Sequence, residues 1–312
     1  MIDLADRLRQ TESDVFVVGP TGVGKSSLAA DLAAEIDADI IGLDAFQIYE
    51  GMAILTAQPP ADLRARVRHH LIGEISPATP FSAGQFAERV LIIRKKLRAS
   101  GRNIVFCGGT GLYLRALTTG LPSIPPTPPS IRETLASLPL DELQRRLNEA
   151  DPAARSRIDF QNPRRVQRAL EIVVATGKTL AQAWACQPPA DGSIRGIGVI
   201  CLREPTDLLA RIEANVRAQF AAGVVEEVAR LGPVGSTASH AIGFQAIRDV
   251  IERRITQDAA IELMILRSRQ YAKRQLTWFR GQTKFPLLNL TPTETGCSAL
   301  STAKLLLARQ IQ

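Results

Sequence analysis

A chain of 312 residues, 45% of them hydrophobic, can bury a full core and suggests one large domain or two modest ones. No apolar stretch approaches the roughly 18 residues of a membrane span, and the start MIDLADRLRQTES carries acids and lacks the apolar segment of a secretion signal, so a cytoplasmic protein is expected. The net charge of +7 and pI near 9.6 suit either a solvated surface or a polyanionic partner.

The four cysteines (Cys107, Cys186, Cys201 and Cys297) stand far apart with no histidine nearby, which argues against a zinc site and against a disulfide framework. Near the start, the β-branched run VFVVG (15–19) predicts a strand, and the Ala/Leu-rich SLAADLAAEI (27–36) predicts a helix. Between them GPTGVGKS (19–26) completes the pattern G-x-x-x-x-G-K-[ST] in the strand–loop–helix context that gives it meaning. Gly19, Pro20, Thr21, Gly22, Val23 and Gly24 form a loop whose backbone N–H groups can face a phosphate, beside the positive end of a helix dipole. Lys25 adds a point charge, and the Ser26 hydroxyl is placed to ligate Mg²⁺.

DIIGL (39–43) predicts a second strand, ending at Asp44 in GLDAFQIYEGM. The position is expected to lie next to the phosphate site, where a base or metal-organising carboxylate is useful; a helix N-cap suits it as well. AGQFAERVLIIRKKLRAS (83–100) predicts a helix, and NIVFC (103–107) a third strand. That strand runs into GGTGLYLRAL (108–117) without the acid that commonly organises Mg²⁺ in a P-loop hydrolase. LPSIPPTPPS (121–130) predicts an extended connection. Residues 131–187 read as wholly helical and Arg-rich, GIGVICL (196–202) as a strand, and the remainder to about 280 as long helices. The resulting fold class is α/β: a P-loop NTPase-like parallel sheet flanked by helices, with residues 1–120 and 196–312 as catalytic core and 121–195 as an α-helical insertion. The tail 286–312 reads as helical and accessory.

Several segments in order resemble the tRNA dimethylallyltransferase family: GPTGVGKS, DAFQIYEGMAILTAQP (44–59), RHHLI (68–72), PFSAGQF (80–86), GGTGLYLRAL, RALEIVVATGKT (168–179), AIGF (241–244) and RQYAKRQLTWFR (269–280). The resemblance covers residues 14–285 and implies transfer of a dimethylallyl group from dimethylallyl diphosphate to N6 of adenosine 37 in the tRNA anticodon loop. It implies a diphosphate in the loop held by Lys25 and Ser26–Mg²⁺, with Asp44 as the proton acceptor and Thr21 and Thr110 close to the substrates. The target base must leave its stack, into a pocket that includes Asp44, Ala45, Phe46 and Gln47. For the anticodon stem-loop the resemblance implies contacts from Arg132, from Arg164, Arg165, Val166, Gln167 and Arg168, and from Lys273 and Arg274, with Arg267 extending a basic stripe. A solvated helix face explains each arginine equally well, and packing suits Trp278 better than base stacking. A monomer is expected.

The chain departs from the family pattern at Ala45, Gln58, Asn215, Gln219 and Phe244, where Ser, Lys, Arg, Met and Tyr are usual. An arginine that could approach the diphosphate is a bidentate donor that Asn215 does not replace. Three other readings therefore stand: a P-loop kinase or NTPase, a prenyltransferase acting on free AMP, and an RNA-binding paralogue with weak or altered activity.

Overall fold

A computed structural model describes residues 4–185, 193–291 and 298–311. Cys186 and Cys297 lie outside the described residues, while Cys107 and Cys201 are free and buried. The chain divides into two compact units, Met1–Thr118 with Ile194–Gln312, and Thr119–Ser193.

The larger unit is built on one parallel sheet of six strands: β1 (Asp14–Val18), β2 (Ala38–Leu43), β3 (His69–His70), β4 (Asn103–Gly108), β5 (Gly196–Leu202) and β6 (Leu287–Asn289), in the order β3-β2-β4-β1-β5-β6. The four strands expected from sequence are all present; β3 and β6, the two edges, are too short to announce themselves. Alternate residues of the central strands face opposite layers, as a sheet covered on both sides requires. Phe16, Val18, Ile41, Leu43 and Phe106 enter one core, and Val15, Val17, Ile40, Val105 and Val199 the other. The Phe16 and Phe106 rings stack with centroids 4.7 Å apart.

The crossover helices follow their sequence signals. Lys25–Glu35 begins directly at the glycine-rich loop 19–24. Ala83–Ala99 starts at a capping box in which Ser82 and Gln85 satisfy each other's backbone N–H groups. No described helix is long and apolar enough to cross a membrane.

The tail is no accessory. β6 pairs with β5, and the helix Ala299–Ala308 buries Ala303 and Leu307 in the core beneath the helix Lys25–Glu35. The Gln310 amide pairs with both the N–H and the C=O of Gly198, at 3.1 and 3.0 Å, closing the segment onto β5.

The smaller unit is helical, with Pro129–Ala136, Leu140–Ala150, Pro163–Thr176 and Leu180–Ala185 around its own core. The proline-rich stretch differs from its expected course at one end: Pro129 and Ser130 already belong to a helix. Proline suits a first helical position, where its missing N–H has no intrahelical acceptor.

Candidate active site

The carboxyl ends of β1, β2 and β4 open onto a cavity of about 1390 Å³. Thr21, Gly22, Gly24, Lys25 and Ser26 line one end of it, and Asp44, Phe46 and Gln47 also contribute. Gly24 caps the helix Lys25–Glu35 with φ 97°, a left-handed conformation that an L side chain adopts only with strain. The Lys25 ammonium donates to the Pro20 carbonyl at 2.7 Å. Burial lowers its pKa, an effect opposed by the neighbouring Cys107, Cys201 and Asp44 groups. The Ser26 hydroxyl meets the Cys107 thiol, which burial pushes up to about 11, so this thiol stays protonated and unreactive.

Asp44 follows β2, but that strand is not the neighbour of β1: β4 runs between them. The carboxylate therefore reaches the site from across the cavity. Its Oδ1 accepts from the N–H groups of Phe46 (2.9 Å) and Gln47 (3.3 Å), so the capping geometry is real. Among the described residues no donor engages Oδ2. Thr110 steadies the same turn: its hydroxyl accepts from Ala45 N–H at 3.0 Å, and its own N–H donates to the Leu43 carbonyl at 3.1 Å.

One residue without a predicted role ties these pieces together. Gln275, 5% exposed, accepts from Thr21 N–H at 2.9 Å and donates to the Gly109 carbonyl at 2.8 Å. A Cβ on Gly109 would stand 2.1 Å from the Gln275 amide nitrogen, so that close approach requires glycine. One turn earlier on the helix Gln257–Gln282, Tyr271 also lines the cavity. Burial raises its pKa, the Asp44 charge raises it further, and contacts with Thr110 and Gln275 oppose the rise.

The cavity wall at residues 52–58 is fastened by side chains. Glu227 accepts from the N–H groups of Ile54 and Leu55, each at 2.8 Å, while Gln219 donates to the carbonyls of the same two residues at 2.7 and 3.0 Å. Gln58 donates to the Gln47 and Tyr49 carbonyls at 2.8 and 2.9 Å, and Gln47 donates back to Ala57 at 2.8 Å. At the mouth stand Arg64, Arg68 and His69; His69 Nδ1 pairs with the Val67 carbonyl at 2.8 Å, and burial lowers the ring's pKa.

A family model described as IPP transferase matches residues 47–282. A tRNA dimethylallyltransferase of Akkermansia muciniphila is 35% identical over 285 residues, covering 90% of this chain and 95% of that one. A Bradyrhizobium tRNA dimethylallyltransferase is 38% identical over 279 residues, covering 86% and 90%. The solved full-length tRNA isopentenylpyrophosphate transferase of Bacillus halodurans superposes with a TM-score of 0.71 at 29% identity, covering 96% of this chain and 97% of that one. The chain belongs to the IPP transferase family.

The loop 19–26 and Asp44 precede the segment matched by the family model. The positions expected to contact tRNA are spread more widely. In the smaller unit Arg132, Arg164 and Arg165 are exposed. Val166 is fully buried in that unit's core, so its side chain packs and cannot meet RNA. Arg168 is tied to Glu171 at 3.0 Å and to the Thr127 hydroxyl at 2.8 Å, and Gln167 donates to the same Glu171 at 3.1 Å. Arg168, itself exposed, thus offsets the charge of a buried carboxylate through Nη1, and the Gln167 amide adds a hydrogen bond to it. In the larger unit Lys273 is exposed, and the exposed Arg274 guanidinium lies 5.9 Å from the Tyr271 ring centroid. Trp278 packs over Gly111, where a Cβ would come within 2.4 Å of the indole.

Proposed function

We propose that this chain transfers a dimethylallyl group from dimethylallyl diphosphate to N6 of adenosine 37 in the tRNA anticodon loop, releasing diphosphate. The observation that carries the reading is a single cavity joining a phosphate loop to the Asp44 carboxylate, in a member of the IPP transferase family. The loop N–H groups and Lys25 would hold the diphosphate, and Ile54, Leu55, Ile212, Val216 and Met264 offer an apolar wall to the prenyl chain. In the transfer, N6 attacks the allylic carbon as its bond to the diphosphate oxygen breaks. Asp44 Oδ2 takes the proton released from N6, and the electron pair leaves with the diphosphate. Thr110, Tyr271 and Gln275 hold the Asp44 turn and the phosphate loop in register, so positioning contributes much of the acceleration.

The donor set also fits Mg²⁺ carried in on the diphosphate. Ser26 and Asp44 offer oxygen donors to one cavity, and among the described residues no cluster of three His, Cys, Asp or Glu side chains forms a protein cage. When bound, the ion would neutralise charge on the departing diphosphate. The exposed Arg132, Arg164, Arg165, Lys273 and Arg274 would meet tRNA phosphates.

The test is transfer of labelled dimethylallyl from the diphosphate, with Mg²⁺, to three acceptors: unmodified tRNA with adenosine 37, the same tRNA with guanosine there, and free AMP. Label in the first alone supports the reading. Label in AMP would reassign the acceptor, and equal label in both tRNAs would reassign the atom modified.

A further inference from the structure

The helix Pro205–Ala221 packs against the loop 19–24 at Gly22. A Cβ placed on Gly22 would lie 2.9 Å from Ile212 Cγ1 and 3.8 Å from Asn215 Nδ2. Two arginines from this region are tied to the loop's own carbonyls: Arg211 Nε donates to Gly22 at 3.1 Å, and Arg203 Nε donates to Val23 at 2.8 Å. Each tether spends Nε on orientation, leaving Arg211 both outer nitrogens of its fork and Arg203 its Nη2. Those nitrogens converge, because a Cβ on Gly24 would lie 3.6 Å from Arg203 Nη2 and 3.8 Å from Arg211 Nη2. Gly24 immediately precedes Lys25, at the helix N-terminus that receives the anion.

The two guanidiniums differ in charge balance. Arg203 Nη1 is paired with Asp207 at 2.6 Å, which neutralises it locally. Arg211 lines the cavity, and among the described residues no carboxylate pairs with it. A diphosphate carries several negative charges, and Lys25 supplies a single buried cation. Arginine suits the remainder because its planar fork holds its charge at any working pH and binds phosphate oxygens in pairs.

We propose that Arg211 is a diphosphate-binding residue of this site, oriented by its bond to Gly22, with Arg203 as the supporting residue that fixes the next carbonyl of the loop. This assignment rests on the diphosphate donor proposed above. It gives a phosphate-binding role to a residue outside the loop motif, and it makes the charge at 211 separable from the tether. Asn215 stands one helical turn beyond Arg211 on the same face, against the same loop, so a guanidinium introduced there can restore the charge without restoring the bond to Gly22.

Binding of inorganic pyrophosphate with Mg²⁺ is to be measured by calorimetry on the full chain, for the parent, Arg211→Ala, and Arg211→Ala/Asn215→Arg, with folding of each checked by thermal melting. Arg211→Ala is expected to weaken binding about 10- to 100-fold, the loss of one charged hydrogen-bonding group. The double variant is expected to recover most of that loss. Binding within about twofold of the parent in Arg211→Ala would overturn the proposal, and so would a loss that Asn215→Arg leaves unrepaired, because a pure tether is not rescued by charge. Should Arg211→Ala not fold, Arg211→Gln, which keeps a donor for Gly22 without the charge, provides the same comparison. Dimethylallyl transfer to tRNA by the parent is run alongside. Its failure with pyrophosphate still bound through Arg211 would refute the transfer reaction and leave the anion site standing.

Discussion

Gln275 spans the site with one amide, holding Thr21 N–H on one side and the Gly109 carbonyl on the other. Its partners lie 254 and 166 residues away along the chain, so nothing in the local pattern RQYAKRQLTWFR marks this glutamine as different from its polar neighbours. The loop 19–26, by contrast, is legible because glycine spacing alone sets up its run of consecutive backbone N–H groups. The same contrast separates Asp44, visible as an acid at the end of a strand, from Glu227 and Gln219, whose hold on residues 54 and 55 exists only in three dimensions. Gln275→Leu keeps the volume but strands a buried donor and a buried acceptor, each costing about 1–3 kcal/mol. It is expected to lower kcat for prenyl transfer by at least about tenfold, with tRNA affinity unchanged, in single-turnover and filter-binding measurements. An unaltered kcat would remove Gln275 from its positioning role.

At the scale of elements, the long central strands were readable from β-branched runs, whereas β3 and β6, two and three residues long, carry no usable period. The helix Pro163–Thr176 shows where a reading by resemblance overreaches. Val166, Ala169, Leu170 and Val173 recur at helical spacing and form its buried stripe, so the 3.6-residue period already assigns Val166 to the core. Arg164 and Arg165 point to solvent, and Arg168, also exposed, pairs through Nη1 with the buried Glu171. The three arginines therefore separate by experiment. Arg164→Ala/Arg165→Ala is expected to weaken tRNA binding and reduce the slope of log K against log salt by about one to two. Arg168→Ala is expected chiefly to lower the melting temperature, because it leaves a buried carboxylate without its cation. An unchanged salt slope in the double variant would return Arg164 and Arg165 to an ordinary solvated face.

Across the whole molecule, the net charge of +7 fits a polyanionic partner without naming one. The sheet brings the loop after β1 and the turn after β2 to one cavity even though β4 separates the two strands. The tail completes that sheet and its packing, which composition alone could not reveal, since a short amphipathic helix reads the same whether docked or free. Removing residues 291–312 takes away buried Ala303, Leu307 and Ile311 together with the Gln310 bonds to Gly198. The truncated chain is expected to melt at least about 5 °C lower, and an unchanged melting temperature would contradict the integral role assigned to this segment. Comparing the parent with Asp44→Ala checks whether Asp44 and the phosphate loop together perform the proposed transfer. Label from dimethylallyl diphosphate would be followed into tRNA under single-turnover conditions, with tRNA affinity measured on the same preparations. Label at adenosine 37 with the parent, none with Asp44→Ala, and affinities within a few-fold of each other are the results expected of this joint role. Transfer by Asp44→Ala at the parental rate would contradict it.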